Sequence, residues 1–179
     1  FSDGGLADVA GSWGIAAGKG SVTVAAEYRH HNRTNRASSD PRDQIVQGDG
    51  GSNGVGEPNH RWGDPDTRDV LTFVNASLPL DPSQTHFLYA FGGFSQRAAN
   101  SAGFFRRAID ARTWPQIYPS GFLPVIEPTV IDASATVGAH GARGRWTYDI
   151  SGQYGRNSFA FDVDDSLNVS LGPASTKTT

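Results

Sequence analysis

The stretch Trp146–Leu171, WTYDISGQYGRNSFAFDVDDSLNVSL, decides the fold. Its first half alternates strictly. Trp146, Tyr148, Ile150, Gly152 and Tyr154 share one side, and Thr147, Asp149, Ser151, Gln153 and Gly155 share the other. Successive strand side chains point to opposite faces, so the segment reads as a strand with one apolar-aromatic face and one polar face. Two environments suit such a strand. In a soluble sandwich the apolar face meets a second sheet; in an outer-membrane barrel it meets lipid.

Working outward, Ile131–His140 alternates in the same way and reaches Trp146 through Gly141-Ala142-Arg143-Gly144. Further upstream, Asp69–Leu80 (DVLTFVNASLPL) and Thr85–Gln96 (THFLYAFGGFSQ) flank the turn Asp81-Pro82-Ser83. The apolar residues of 85–96 do not keep to one face. Leu6–Ala17 and Ser21–Arg29 flank Gly18-Lys19-Gly20, a second hairpin signal. The expected strands are roughly 6–17, 21–30, 69–80, 85–96, 129–140 and 145–164. Two stretches without periodicity separate them, 31–66 and 97–128, rich in Asn, Asp, Arg, Gly and Pro. The connections therefore run short, long, short, long, short. Long structureless connections count against a compact soluble domain, whereas barrels of the outer membrane place long loops at one end and short turns at the other. The expected fold is all-β, an antiparallel meander of about six to eight strands, part of a transmembrane β-barrel.

Composition agrees with short strands and Gly-rich turns. The 179 residues include 22 Gly, and only 18% are charged against about 25% in ordinary domains. A net charge of −3, with no basic cluster longer than Arg29–Arg36, argues against a nucleic-acid partner. Absence of Cys excludes disulfides, thiolate metal sites and Cys nucleophiles. Absence of Met, and of any signal peptide at FSDGGLADVAGSW, leads us to expect that the chain begins inside a longer gene product. No apolar run approaches the ~20 residues of a membrane helix, so any membrane contact is made by strands.

Several segments together resemble the barrel of TonB-dependent outer-membrane receptors, in the part that follows the plug. They are Ala26–Arg29, Thr34–Arg36, Tyr89–Phe94, Ser101–Arg107, Tyr118–Pro124, Tyr154–Phe159 and Asp165–Pro173, in the family's order. The resemblance covers about Val9 to Pro173. It implies a barrel of about 22 strands with a plugged lumen. It further implies location in the bacterial outer membrane and import of a scarce small-molecule ligand (siderophore, cobalamin or oligosaccharide). The energy would come from the TonB–ExbB–ExbD complex acting through the plug region. The chain lacks a TonB box, a plug and later strands, so it is expected to be a fragment. The alternative from another class is a small soluble β-sandwich or β-barrel binding module with no transport role.

Candidate binding residues lie in the long loops. His30, His31, Arg33 and Arg36, with Arg29, offer an anionic or metal-chelate ligand site, or else a solvated basic patch. Adjacent strand residues point apart, so the two His cannot share a metal unless the strand has ended. Phe104, Phe105, Arg106, Arg107, Trp114 and Tyr118 offer stacking and ion pairing to a sugar or macrocycle. Packing of the loop on itself or on the plug is the favoured use of the same residues, because so long a loop needs a small core of its own. Asp49, Asn53, Asp64, Asp66 and Asp69 carry oxygen ligands without EF-hand spacing, and Asp162, Asp164 and Asp165 read the same way; no metal site or cofactor is expected. Trp13, Trp146 and Tyr148 suit an aromatic girdle. Without G-x-S-x-G, a His in a triad context or carboxylates in apolar surroundings, no enzyme is expected.

Overall fold

The computed structural model describes residues 3–51 and 56–178. Six strands, β1 (Leu6–Ala17), β2 (Gly20–His31), β3 (Asp66–Pro79), β4 (His86–Ala102), β5 (Val125–Arg143) and β6 (Trp146–Asp164), form one sheet in sequence order, each antiparallel to the next. The only helical element among the described residues is a 3₁₀ segment, Val169–Ala174.

The register turns the alternation of each strand into two continuous faces. On one, Trp13, Val24 and Val74 lie in a row, and Val9, Tyr28 and Val70 in another. Leu88, Ala139 and Ile150 continue it across β4 to β6. On the other face Asp8, Arg29, Asp69 and Arg97 stand side by side across four strands, with alternating sign. Opposite charges directly across a strand pair stabilise the pairing. Arg97 Nε meets Asp69 Oδ1 at 2.5 Å, Arg29 Nε meets Asp8 Oδ2 at 3.3 Å, and Arg29 also bonds Glu27. Asp69 is buried by these partners.

The apolar face is left uncovered. Trp13 is 72% exposed, Ile150 73% and Tyr154 64%, and among the described residues no other element packs over them. The buried apolar core, Phe105, Ala108, Tyr118 and Phe122, lies instead in the long loops. Mid-height residues of all six strands, from Gly11 to Arg156, line one trough of about 970 Å³. A flat six-stranded sheet is about 24 Å wide and cannot wrap one cavity, so this sheet curls. It does not close: β1 and β6 are not paired with each other.

All three short connections lie at one end. Gly18 (φ 61°) and Gly144 (φ 62°) supply the left-handed conformation that two of them need. In the third, the Asp81 carboxylate accepts from Ser83 Oγ, from the Thr85 and His86 backbone N–H groups and from Thr85 Oγ1. The Ser83 hydroxyl, followed by those amides, holds the Asp81 carboxyl well below the usual carboxylate range. The connections 32–65 and 103–124 lie together at the opposite end.

Strand limits differ from the sequence reading at that end. β4 runs on to Ala102 and β5 begins at Val125, so 97–102 and 125–128 are strand and not loop. β3 likewise starts at Asp66. In RAANSA, 97–102, neither face is apolar, and alternation marks a strand only where one face is. The two-sided aromatics of β4 also find a reason. Phe87 stacks on His140, and Tyr89 stacks on Phe91 and donates to Asp149 Oδ1 at 2.7 Å. Their floor is Gly138, where a Cβ would strike the Tyr89 ring.

Candidate functional site

The two long loops and the chain after β6 build a lobe on the loop end of the sheet. Connection 32–65 first doubles back on itself: Thr34 N donates to Asp64 O (3.1 Å) and Arg36 N to Trp62 O (2.7 Å). Asn35 holds the two arms, its Oδ1 accepting from Ala37 N and Trp62 N and its Nδ2 donating to His60 O. Beyond this neck the turn 43–51 is organised by carboxylates. Asp49 accepts from the backbone N–H groups of Gln44, Ile45, Val46 and Gly51, and Asp43 from those of Gly48 and Gly50. The amides of Val46 and Ile45, then those of Gln44 and Gly51, hold the Asp49 carboxyl far below its ordinary range. Asp40 is held low in the same way, first by the Arg42 guanidinium, which grips it at 2.8 and 2.6 Å.

Gln44 is fully buried. Its Nε2 donates to Arg42 O (2.7 Å) and its Oε1 accepts from Asn59 Nδ2 (3.2 Å), so a polar side chain is satisfied in the interior. Next to it His60 contacts Phe104 edge-on at 5.1 Å and Phe105 at 5.9 Å, and its Nδ1 bonds Asn59 Oδ1. Burial lowers the His60 pKa, which favours the neutral ring.

Connection 103–124 closes at its base through Gly103 N to Pro124 O (2.7 Å) and a mutual Arg106–Phe122 backbone pair, both 2.8 Å. Inside, Tyr118 stacks on Phe122 with centroids 4.3 Å apart. Arg107 joins the loops: it pairs with Asp110 at 2.7 Å and donates to Asp43 O at 3.0 Å. The segment after β6 packs on the outside. Tyr118 Oη donates to Ser166 O, Trp114 Nε1 donates to Val169 O, and Lys177 lies 5.0 Å from the Tyr118 ring centre. Burial, with Asp165 nearby, pushes the Tyr118 hydroxyl up.

The candidate residues thus fall into two groups. His30, His31, Arg33 and Arg36 sit where β2 leaves the sheet. His31 Nδ1 is 3.3 Å from Pro65 O, and His30 Nε2 is 3.5 Å from Asp66 Oδ2. β2 continues through both His, so they point to opposite faces. Arg36 pairs with Asp3 at 2.6 Å, and this bond lowers the Asp3 pKa to about 2. Phe105 and Tyr118 are interior; Phe104 is half-exposed beneath the Arg42 guanidinium, 5.3 Å from its ring centre. Arg106 serves through its backbone and Trp114 through its indole N–H.

Among the described residues no three His, Asp or Glu side chains converge as metal ligands. Asp49 is occupied by amides and Asp69 by Arg97, while Asp66 lies 3.5 Å from His30 Nε2 without a hydrogen bond to it; Asn53 lies outside the described residues. Below the lobe a polar cavity of about 790 Å³ is lined by Arg33 together with Arg61, Arg68, Asn100, Glu127 and Asp162. Of its lining, sequence reading singled out Arg33, Asp66 and Asp162 but had no means of joining them with the rest. Strand register brings Arg68, Asn100, Glu127 and Asp162 to one height in the sheet, and the first long connection adds Arg33 and Arg61. Compared with known proteins, the chain matches no family model, no curated protein and no solved structure.

Proposed function

We propose that the chain is part of the β-barrel of a TonB-dependent type of outer-membrane receptor, which binds a scarce ligand at its loop end and imports it. The observation that carries this reading is the uncovered apolar face spanning six strands, bounded by short turns at one end and a built lobe at the other. Exposed apolar patches on soluble monomers seldom exceed a few hundred Å². A lipid-facing wall has such a face as its normal state, with polar residues turned to the lumen.

The open edges support the same reading. Unpaired backbone groups are too costly in hydrocarbon for a sheet to end there, so β1 and β6 need further strands beside them. The chain then supplies one sector of a larger wall. Its short turns would face the periplasm and its lobe the exterior. TonB–ExbB–ExbD would act through a plug region outside this sector, and ligand capture falls to the lobe.

Fractionation tests the reading. The protein expressed from its full gene is expected to stay with outer membranes after high-salt and alkaline washing and to need detergent for release. Release by alkali alone would sink the proposal and favour a soluble β binding module.

A further inference from the structure

The apolar face is bounded at both ends. It is the convex face, since side chains of the other one, among them Glu27, Phe73, Asp132 and Asn157, line the trough. Toward the loops it stops at a polar residue on four strands: His30 on β2, Arg68 on β3, Gln96 on β4 and Arg156 on β6. Each lies ten residues from the last position of that face at the turn end, Gly20, Leu78, His86 and Trp146. Between these limits every position is aliphatic, aromatic or glycine except Thr72, whose hydroxyl donates to Phe94 O at 3.4 Å. On β5 the face runs one position further, through Ile131 to Thr129.

These limits do not follow the register. His30 stands opposite Arg68, but Gln96 stands opposite Val70, two residues nearer the turns. Arg156 stands opposite Ala133, which faces Phe94, two residues nearer again. The turn end slips in step: Val22 and Gly152 share a row, yet lie two residues from Gly20 and six from Trp146. From β2 to β6 both edges thus slip by four residues. That is about 13 Å along the strands over about 19 Å of sheet, so a strand tilt of about 35° makes both edges level. At that tilt, ten residues of strand rise about 27 Å. Outer-membrane walls have such a tilt and an apolar band of about 25 Å. A second sheet packed on the face would impose neither a matched slip nor a fixed thickness. We propose that the two edges are the hydrocarbon boundaries of a bilayer, the loop-side one running through His30, Arg68, Gln96 and Arg156. Tyr28 and Tyr154 lie just inside it, where amphipathic rings belong. Asn100, Glu127 and Asp162 of the polar cavity then stand beyond the hydrocarbon, which is why an otherwise apolar face carries them. This placement rests on the membrane reading and adds depth and tilt to it.

Nitroxide labels test it. The chain holds no Cys, so Val9→Cys, Gly152→Cys and Ser158→Cys give single sites in the protein expressed from its full gene, with any cysteines elsewhere replaced. Val9 and Ser158 share a row of the sheet. The tilt nevertheless puts Ser158 about 14 Å further out, and brings Val9 and Gly152 within about 3 Å of one depth. In phosphatidylcholine vesicles, labels at Val9 and Gly152 are expected to collide with oxygen and to be closed to a water-soluble nickel chelate, and the label at Ser158 to show the reverse. Equal depth at Val9 and Ser158 overturns the placement. So does nickel access at all three sites, or exclusion of both reagents from Val9 and Gly152, which would mean that protein covers the face. With the protein still held in alkali-washed membranes, any of these outcomes removes the placement alone; release by alkali removes the membrane reading and the placement with it.

Discussion

The sheet and the lobe are stabilised by opposite means. The sheet is held by backbone ladders and by cross-strand pairs such as Trp13–Val24 and Asp69–Arg97, yet its large apolar side chains stay exposed. The lobe has almost no ladder, yet it contains the buried apolar core and the fully buried Gln44. The sheet thus depends on what surrounds it, while the lobe carries its own interior. A long connection that holds a shape of its own needs this, because unpaired loop backbone has to find partners in side chains.

The largest expected effect separates the two regions. Phe105→Ala removes a buried ring that His60 packs against, and such truncations cost about 3–5 kcal/mol. Hydrogen exchange is expected to lose protection at Gln44, Ile45, Val46 and Gly51, with β2 to β5 unchanged. Equal loss in the strands would mean that lobe and sheet unfold as one unit, and the contrast would be broken.

Glycine offers a matched pair. Gly121 in the lobe has φ 81°, and a Cβ there would meet Arg106 O inside the backbone pair that closes the loop. Gly121→Ala is expected to cost about 1–3 kcal/mol. Gly152 in β6 has nothing within 4 Å of a built Cβ, so Gly152→Ala is expected to be neutral or slightly stabilising, by up to about 1 kcal/mol. Thermal melts of the two variants in one detergent compare them directly. A tolerated Gly121→Ala would mean that the lobe is looser than its hydrogen bonds imply.

The same contrast explains what was legible in the sequence. Alternation at 22–28, 131–139 and 146–154 places β2, β5 and β6 because one face there is apolar. It fails at 97–102, where neither face is distinctly apolar and β4 runs on unseen. The lobe left only compositional traces. Asp43 and Asp49 organise a turn through backbone amides, and an Asp in a Gly-rich loop looks the same whether it binds amides, water or calcium. Tyr118 and Phe105 were readable as aromatics in a long loop, but that they face inward depends on Phe122 and Ala108, which no local pattern links to them. The polar cavity is less legible still, since Arg61, Asn100, Glu127 and Asp162 meet only through the register of three strands and one loop.

Acidification is expected to loosen the lobe before the sheet. The folded-state pKa of His60 is lowered by burial, so the unfolded chain takes up its proton first. Stability contributed by neutral His60 is full above about 6.5 and falls as pH drops through that value toward the lowered one. Asp40 and Asp49 act in a lower window. Their folded pKa values are depressed, so their contribution is present above about 4 and declines as pH falls below it. Protection factors of lobe amides, taken relative to intrinsic exchange at each pH, should therefore fall in two stages between pH 7 and 3, and His60→Phe should erase the first. A single stage that survives His60→Phe would assign the whole effect to carboxylates.

The smallest effect is expected at the other end of the sheet. Lys19 Nζ donates to Pro82 O at 2.9 Å, tying the first short turn to the second. The group is exposed, and an exposed contact of this kind is worth about 0.5 kcal/mol or less. Lys19→Ala should leave thermal stability unchanged within error, since the glycine turn and the Asp81 network fix their own hairpins without it. If it proves costly, the short-turn end has a built architecture like the lobe's. The sheet would then be held between two organised ends, and would depend less on its surroundings than its exposed apolar face implies.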